Sequence, residues 1–281
     1  MDRDTLTGFM DIIRQTARRA GEAILAVSAG GVEAVQKDDG SPLTQADLAS
    51  HEIILAGLAP LEPKRPILSE EGNLDTTGGA WHTYWCVDPL DGTKEFVKGL
   101  EEYTVNIALV DAARPVLGVV HLPVLDVTYW GAAGLGAFKA VGRAAPQPIR
   151  ASSARAPRSA VVSRSHLSPE TESFLAKLGI TEVIPHGSSL KMCVVAEGSA
   201  DVYPRFGPTC LWDTAAGAAV AIAAGCRVVD LSGAALSYDV ADGLKRDGFI
   251  VYPADMALDV KGGLSQPDAQ RQPRRLDPAR E

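Results

Sequence analysis

Apolar residues recur at helical spacing from the start of the chain. Leu6, Phe9, Met10, Ile13, Ala17, Ala20, Ile24 and Val27 fall on one face, and Gly30-Gly31 supplies a stop. This pattern predicts a first helix. Thr44-Gln-Ala-Asp47 has the form of a capping box and predicts a second helix to about Leu58, ended by Pro60 and Pro63. Strand-like runs at Pro66–Ser69 and Thr83–Val87 each lead directly into acidic residues. Thr104–Val110, Val116–Leu122 and Val127–Trp130 predict a meander, with turns at Asp111-Ala-Ala-Arg-Pro115 and Pro123.

The texture changes after Arg143–Arg158, a segment containing Pro146, Pro148 and Pro157 that reads as a crossing between two lobes. Beyond it, strand Ala160–Ser163, helix Ser168–Leu178, strand Thr181–Ile184, helix Leu190–Glu197, strand Asp201–Tyr203, helix Thr214–Ala224 and strand Arg227–Asp230 alternate as α/β units do. Phe249–Tyr252 is the last expected strand. The expected organisation is an N-terminal α+β lobe over 1–145 and a C-terminal α/β lobe over 146–255. Residues 256–281, with Pro267, Pro273 and Pro278, are expected to form a flexible tail.

The 281 residues suffice for roughly two compact units at ~150 residues each. With 46 % hydrophobic and 22 % charged residues, the chain is soluble and globular in character. Its net charge of −8 disfavours a nucleic-acid polymer as partner, although phosphates remain accessible through metal ions. Cys86, Cys193, Cys210 and Cys226 form no C-x-x-C pair, which fits a reduced, cytoplasmic compartment. Charged residues break up the N-terminal segment, so no signal-peptide core is visible. The Ala/Gly-rich run Thr214–Cys226 falls short of the ~18 residues of a membrane span and reads as a buried helix.

The densest chemical signal is Trp85-Cys-Val-Asp88-Pro-Leu-Asp91-Gly-Thr93-Lys-Glu-Phe96. Its proline and glycine predict a tight turn presenting Asp88, the Leu90 carbonyl and Asp91 as hard oxygen ligands for Mg²⁺. Leu68-Ser-Glu70-Glu71-Gly72 places another acid at a strand end, and Trp212-Asp213 places one just before a helix. Each has a plain structural explanation: Asp213 as an N-cap, Asp47 as a capping-box acid, Glu70-Glu71 as a solvated loop. Jointly they fit a multi-metal phosphatase, whose ions ~3.5–4 Å apart clamp the attacking and leaving oxygens. A haloacid-dehalogenase-type enzyme, with an aspartyl nucleophile, spaces its two aspartates one residue apart, whereas two residues separate Asp88 from Asp91. Trp81, Trp85, Trp130 and Trp212 are expected to pack in the core or at its rim and not to stack on a base.

Asp88-Pro-Leu-Asp91-Gly-Thr93, the upstream Ser69-Glu70-Glu71 and the downstream Trp212-Asp213-Thr-Ala-Ala-Gly217 resemble, in order, the signatures of the inositol monophosphatase superfamily of metal-dependent, lithium-sensitive phosphatases. The likeness runs from about residue 6 to about residue 252. Lys37-Asp-Asp-Gly-Ser-Pro-Leu-Thr44, Gly-Thr-Lys94-Glu-Phe96, Ser163-Arg-Ser-His166, Gly187-Ser-Ser-Leu-Lys191 and Tyr203-Pro-Arg-Phe-Gly-Pro208 resemble its bacterial 3'(2'),5'-bisphosphate nucleotidase branch. The resemblance implies a layered αβαβα sandwich, α+β and α/β in its two lobes, with the metal site between them. It implies two to three Mg²⁺ ions. Glu70, Asp88 and the Leu90 carbonyl would hold one, Asp88, Asp91 and Asp213 a second, and a weaker third would lie near Glu70. Thr93 would relay a proton from the attacking water, polarised by Asp47. The reacting phosphate would rest among Glu70, Leu90, Asp91, Gly92, Thr93 and Asp213.

The implied substrate is adenosine 3',5'-bisphosphate, converted to AMP, together with its sulfated analogue, as a step that clears a by-product of sulfate assimilation. Lys191, Arg205 and His166 are candidates for the second phosphate, with Gly187-Ser188-Ser189 as a small anion cradle. The plain alternatives are a helix cap at Ser188, a solvated Lys191, a loop charge at Arg205 and a turn residue at His166. An inositol-1-phosphate or fructose-1,6-bisphosphate phosphatase remains an alternative, since the metal motifs do not name the leaving alcohol. Lys94, where inositol phosphatases often carry a second Thr, favours the nucleotidase. A catalytically inactive nucleotide-binding protein is the non-enzymatic alternative. The expected state is a monomer or homodimer without a transmembrane segment, cytoplasmic or peripheral on the cytoplasmic face of the inner membrane.

Overall fold

The computed structural model describes residues 1–31, 34–36, 42–72, 81–164 and 167–260. The predicted tail beyond 260 and His166 lie outside these residues. Two helices, α1 (Arg3–Gly30) and α2 (Gln45–Leu58), pack together on one face of a seven-stranded sheet. That sheet runs β3 (Ile67–Ser69), β4 (Thr83–Asp91), β5 (Thr104–Asp111), β6 (Arg114–Leu122), β7 (Val127–Ala132), β8 (Gly136–Val141), β9 (Gln147–Ile149). The β3–β4 pair is parallel and the others are antiparallel. A small antiparallel pair, β1 (Ala34–Gln36) and β2 (Pro42–Thr44), precedes α2.

Alternation along β4 explains the layering. Trp85 and Val87 point to α1 and α2, while Tyr84 and Cys86 point to the opposite core. That second core contains α5 (Leu190–Ala196) and α6 (Leu211–Ala223). Beneath them lies a sheet ordered β12 (Tyr203–Cys210), β14 (Lys245–Pro253), β13 (Cys226–Val229). The parallel pair β10 (Ser159–Ser163) and β11 (Glu182–His186) adjoins it through the Ala160–Val202 bridge. Helix α4 (Pro169–Lys177) covers the far face. The result is the expected αβαβα sandwich. The Ala/Gly-rich helix α6 can approach the large sheet because that sheet offers glycines: a Cβ on Gly131 would lie 2.8 Å from the Ala223 Cβ.

Several local expectations change. Asp88-Pro-Leu-Asp91 is not a turn after a strand; β4 continues through it with a bulge. Asp88 pairs with Asn106 and Asp91 with Thr104, so β4 carries one extra residue between those pairs. Helix α6 starts at Leu211, three residues before the expected Thr214, which puts Asp213 in its first turn instead of ahead of it. Strand β12 runs on to Cys210 instead of stopping at Tyr203. Pro204 and Pro208 are tolerated because β12 is an edge strand with an irregularity between Phe206 and Thr209. Short β9 lies inside the proline-bearing crossing, where no strand was expected. The C-terminal part of the chain also departs from a purely alternating pattern, since its three-stranded sheet is antiparallel.

Candidate active site

Of the predicted acids, Glu70, Asp88, Asp91 and Asp213 come from three distant stretches of chain and meet at one cavity of about 370 Å³. Its walls include Glu70, Asp88, Leu90, Asp91, Gly92, Thr93, Ser188, Lys191, Arg205 and Asp213. Glu70 stands in the turn following β3, its N–H bonded to the Val87 carbonyl at 3.2 Å. The bulge of β4 brings Asp88, Leu90 and Asp91 onto the cavity wall, and Gly92 opens the short helix α3 (Thr93–Val97) with φ of 95°. The bulge is held from behind by α2, where Ser50 Oγ donates to the Pro89 carbonyl at 2.7 Å.

Asp47 caps α2 and also reaches Thr93. Its Oδ2 accepts the Thr44 N–H at 2.7 Å and the Thr44 hydroxyl at 2.6 Å, completing the predicted capping box. Its Oδ1 accepts from Thr93 Oγ1 at 3.1 Å, and the Leu90 carbonyl lies at the same distance from that hydroxyl. Asp213 is likewise a capping-box acid: its Oδ2 accepts the Cys210 N–H at 3.0 Å and the Thr209 hydroxyl at 2.9 Å.

Negative charge is concentrated here. Burial, and then the charges of Glu70, Asp91 and Asp213, push the Asp88 carboxyl well above the usual carboxylate range. Burial and then the Asp91 charge push Asp213 up to about 6, against the hydrogen bonds from Cys210 and Thr209. Among the described residues, no three His, Cys, Asp or Glu side chains are grouped to grip one ion as they stand. Asp91 turns instead to local donors: its Oδ2 accepts the Ser189 N–H at 2.6 Å, with Ser189 Oγ 2.7 Å away. The donor set still suits hard divalent cations. It consists of carboxylate and carbonyl oxygens, and its crowded charge is relieved only by protons or cations.

Cations line the same cavity. Lys191 is buried in α5, and its Nζ donates to the Ser188 carbonyl at 2.6 Å. Arg205 on β12 donates from Nη2 to the Pro208 carbonyl at 3.0 Å. Ser188 Oγ and Arg205 Nε are buried without a hydrogen-bond partner among the described residues, so both have hydrogen-bonding capacity to spare. Ser189, not Ser188, is the N-cap of α5, and it makes no side-chain cap. A second cavity of about 160 Å³ adjoins the first; it shares Ser163, Tyr203 and Arg205 and adds Leu167, Pro204 and Phe206.

Residues 6–253 match the model of the inositol monophosphatase family. The chain belongs to that family. Within it, the chain is 47 % identical over 248 residues to the 3'(2'),5'-bisphosphate nucleotidase CysQ of Escherichia coli strain K12, spanning 86 % of this chain and 98 % of that one. It is 47 % identical over 245 residues to the CysQ of Salmonella typhimurium, with the same coverage. Among solved inositol monophosphatase family structures, CysQ from Bacteroides thetaiotaomicron superposes with a TM-score of 0.77 at 44 % identity, covering 89 % of this chain and 98 % of that one.

Sequence reasoning missed Asn106, and it placed Ser189 in the anion cradle without foreseeing its hydrogen bonds to Asp91. Asn106 Nδ2 donates to Ser189 Oγ at 2.9 Å, and Ser189 Oγ also lies 2.7 Å from the Asp213 carbonyl, so the pair ties β5, α5 and α6 together around Asp91. A signal existed for Asn106: it is the single amide in the apolar run Thr104–Val110. Nothing local marked Ser189 apart from Ser188.

Proposed function

We propose that this chain is a Mg²⁺-dependent phosphomonoesterase that hydrolyses adenosine 3',5'-bisphosphate to AMP and phosphate, and also accepts the sulfated analogue. One observation carries the reading: Glu70, Asp88, Asp91, Asp213 and the Leu90 carbonyl line one cavity together with Lys191, Arg205 and Ser188, whose hydroxyl has no hydrogen-bond partner among the described residues. A substrate with two phosphates needs both sets, one phosphate at the acids and one at the cations. The names of the relatives at 47 % identity support the same substrate class. The second cavity supports a nucleotide over an inositol, because its Leu167, Pro204 and Phe206 offer the apolar wall that a base needs beside a polar site.

Glu70, Asp88 and the Leu90 carbonyl would hold one ion and Asp88, Asp91 and Asp213 another, with a weaker third near Glu70. Bound there, divalent cations supply acidified water and charge compensation for the leaving oxygen. Thr93 and Asp47 manage the proton. Thr93 Oγ1 takes a proton from the attacking water while its own passes along the 3.1 Å hydrogen bond to Asp47 Oδ1. Thr44 holds the other Asp47 oxygen through two hydrogen bonds, fixing the carboxylate for that exchange. Gly92 and Thr93 line the reacting end, and Lys191, Ser188 and Arg205 orient the distal phosphate. No side chain is required as a nucleophile.

The test is phosphate release from adenosine 3',5'-bisphosphate, inositol-1-phosphate and fructose-1,6-bisphosphate, with and without Mg²⁺ and with added Li⁺. The expected outcome is preference for the bisphosphate nucleotide, dependence on Mg²⁺ and inhibition by Li⁺. Full activity after exhaustive chelation, or a preference for the inositol ester, refutes the reading.

A further inference from the structure

Glu102 lies in the connection between α3 and β5 and is 12 % exposed. Its backbone is pressed between two glycines. A Cβ on Gly92 would come within 3.4 Å of the Glu102 carbonyl, and one on Gly187 would come within 2.9 Å of the same oxygen. Its side chain reaches into the other lobe. Oε2 accepts the Gly187 N–H at 2.6 Å, while Oε1 lies 2.9 Å from His186 Nδ1 and accepts Arg164 Nη2 at 2.5 Å. Burial works against the charged form, but His186, the Gly187 N–H and Arg164 outweigh it and hold the carboxyl below its ordinary range.

The segment so gripped is strained. Ser188 has φ of 42°, a left-handed conformation that a serine keeps only where its surroundings impose it. Glu102 fixes residue 187 on one side. Asp91, Asn106 and the Asp213 carbonyl fix Ser189 on the other. Between these anchors the Ser188 hydroxyl, at the cavity wall, has no hydrogen-bond partner among the described residues, and the Ser188 carbonyl receives Lys191 Nζ.

We propose that Glu102 is a positioning residue that clamps the Gly187–Ser189 cradle against the Asp91-Gly92-Thr93 segment and so sets the grip on the substrate's second phosphate. This rests on the nucleotidase reading. Glu102 touches neither the reacting phosphate nor the acids proposed as metal ligands; it acts through the cradle.

The experiment compares E102A, E102Q and G187A with the parent enzyme on adenosine 3',5'-bisphosphate and on 3'-AMP, which lacks the distal phosphate. It measures kcat, KM, the Mg²⁺ concentration for half-maximal activity, and Tm. Loss of a charge-assisted hydrogen bond predicts a rise in bisphosphate KM of roughly ten-fold in E102A. G187A, whose Cβ collides with Glu102, gives a similar rise while leaving the carboxylate in place. E102Q, which keeps an acceptor for the Gly187 N–H, falls between parent and E102A. The KM for 3'-AMP, kcat and the Mg²⁺ dependence stay near the parent values in E102A and E102Q. Unchanged bisphosphate KM in E102A and G187A overturns the proposal, as does an equal loss on both substrates. A parent enzyme that treats the two substrates alike sinks the nucleotidase reading and the clamp with it.

Discussion

Substituting Asp213 by asparagine separates what the acid does for catalysis from what it costs the fold. Asn keeps the size and one acceptor oxygen, so the hydrogen bonds from Cys210 and Thr209 can persist, while the charge disappears. In the metal-free chain, a carboxyl pushed up to about 6 from its ordinary 3.8 opposes folding at neutral pH. At ~1.4 kcal/mol for each pH unit, that opposition amounts to about 3 kcal/mol. D213N should therefore be more stable than the parent in chelator at pH 7.5, by roughly 6 °C in Tm for a chain of this size. The sign with pH follows from the raised value. The native state binds the proton more tightly than the unfolded chain, so the penalty is full above about 6 and disappears as pH falls towards 3.8. Mg²⁺ should reverse the ranking, since the parent gains by ligand binding what the variant has lost as a ligand. The assay is thermal unfolding in chelator and in Mg²⁺ between pH 4 and 8, alongside phosphate release. If D213N in chelator is no more stable than the parent at pH 7.5, or if its advantage persists unchanged at pH 4, the account of a charge-crowded site is wrong.

Asp91→Asn should lower turnover by about two orders of magnitude or more with little change in Tm, because it removes a proposed ligand oxygen but leaves an acceptor for Ser189; activity within a few-fold of the parent counts against the mechanism. His121 supplies an independent check on stability. It is buried under α1 with Nδ1 2.9 Å from Thr128 Oγ1, and burial followed by the Arg18 charge lowers its pKa to about 4. Its neutral form is native, so this contribution is complete above about 6.5 and is lost as pH falls to about 4. The stability difference between the parent and H121Q, from urea unfolding, should change by about 3 kcal/mol across that interval. A difference that stays constant with pH would remove His121 from the explanation.

Local rules made much of this molecule legible. The spacing of Leu6 to Val27 predicts α1, the Thr44/Asp47 box predicts α2, and the small residues of Thr214–Cys226 predict a buried helix. These signals are readable because helix faces and caps depend on residues three or four positions apart. The candidate acids were legible too, since a run as dense as Asp88-Pro-Leu-Asp91-Gly-Thr93 is chemically unusual wherever it sits. The path of the backbone at those acids was not. Whether Asp88-Pro-Leu-Asp91 forms a turn or a bulge is settled by pairing with Asn106 and Thr104, which no local pattern encodes.

The sequence alone determined which side chains were available for the chemistry and which helices would carry them, because composition, periodicity and capping act over a few residues. Only the tertiary structure decided that Glu70, Asp88, Asp91 and Asp213 share one cavity with Lys191 and Arg205, and that Asn106, Ser189 and Glu102 hold its walls in place. Such contacts join residues that are more than eighty positions apart in the cases of Asn106 to Ser189 and Glu102 to Gly187. Their partners are chosen by strand register and by the packing of α5 and α6 between two sheets, and those are set by the whole chain folding at once.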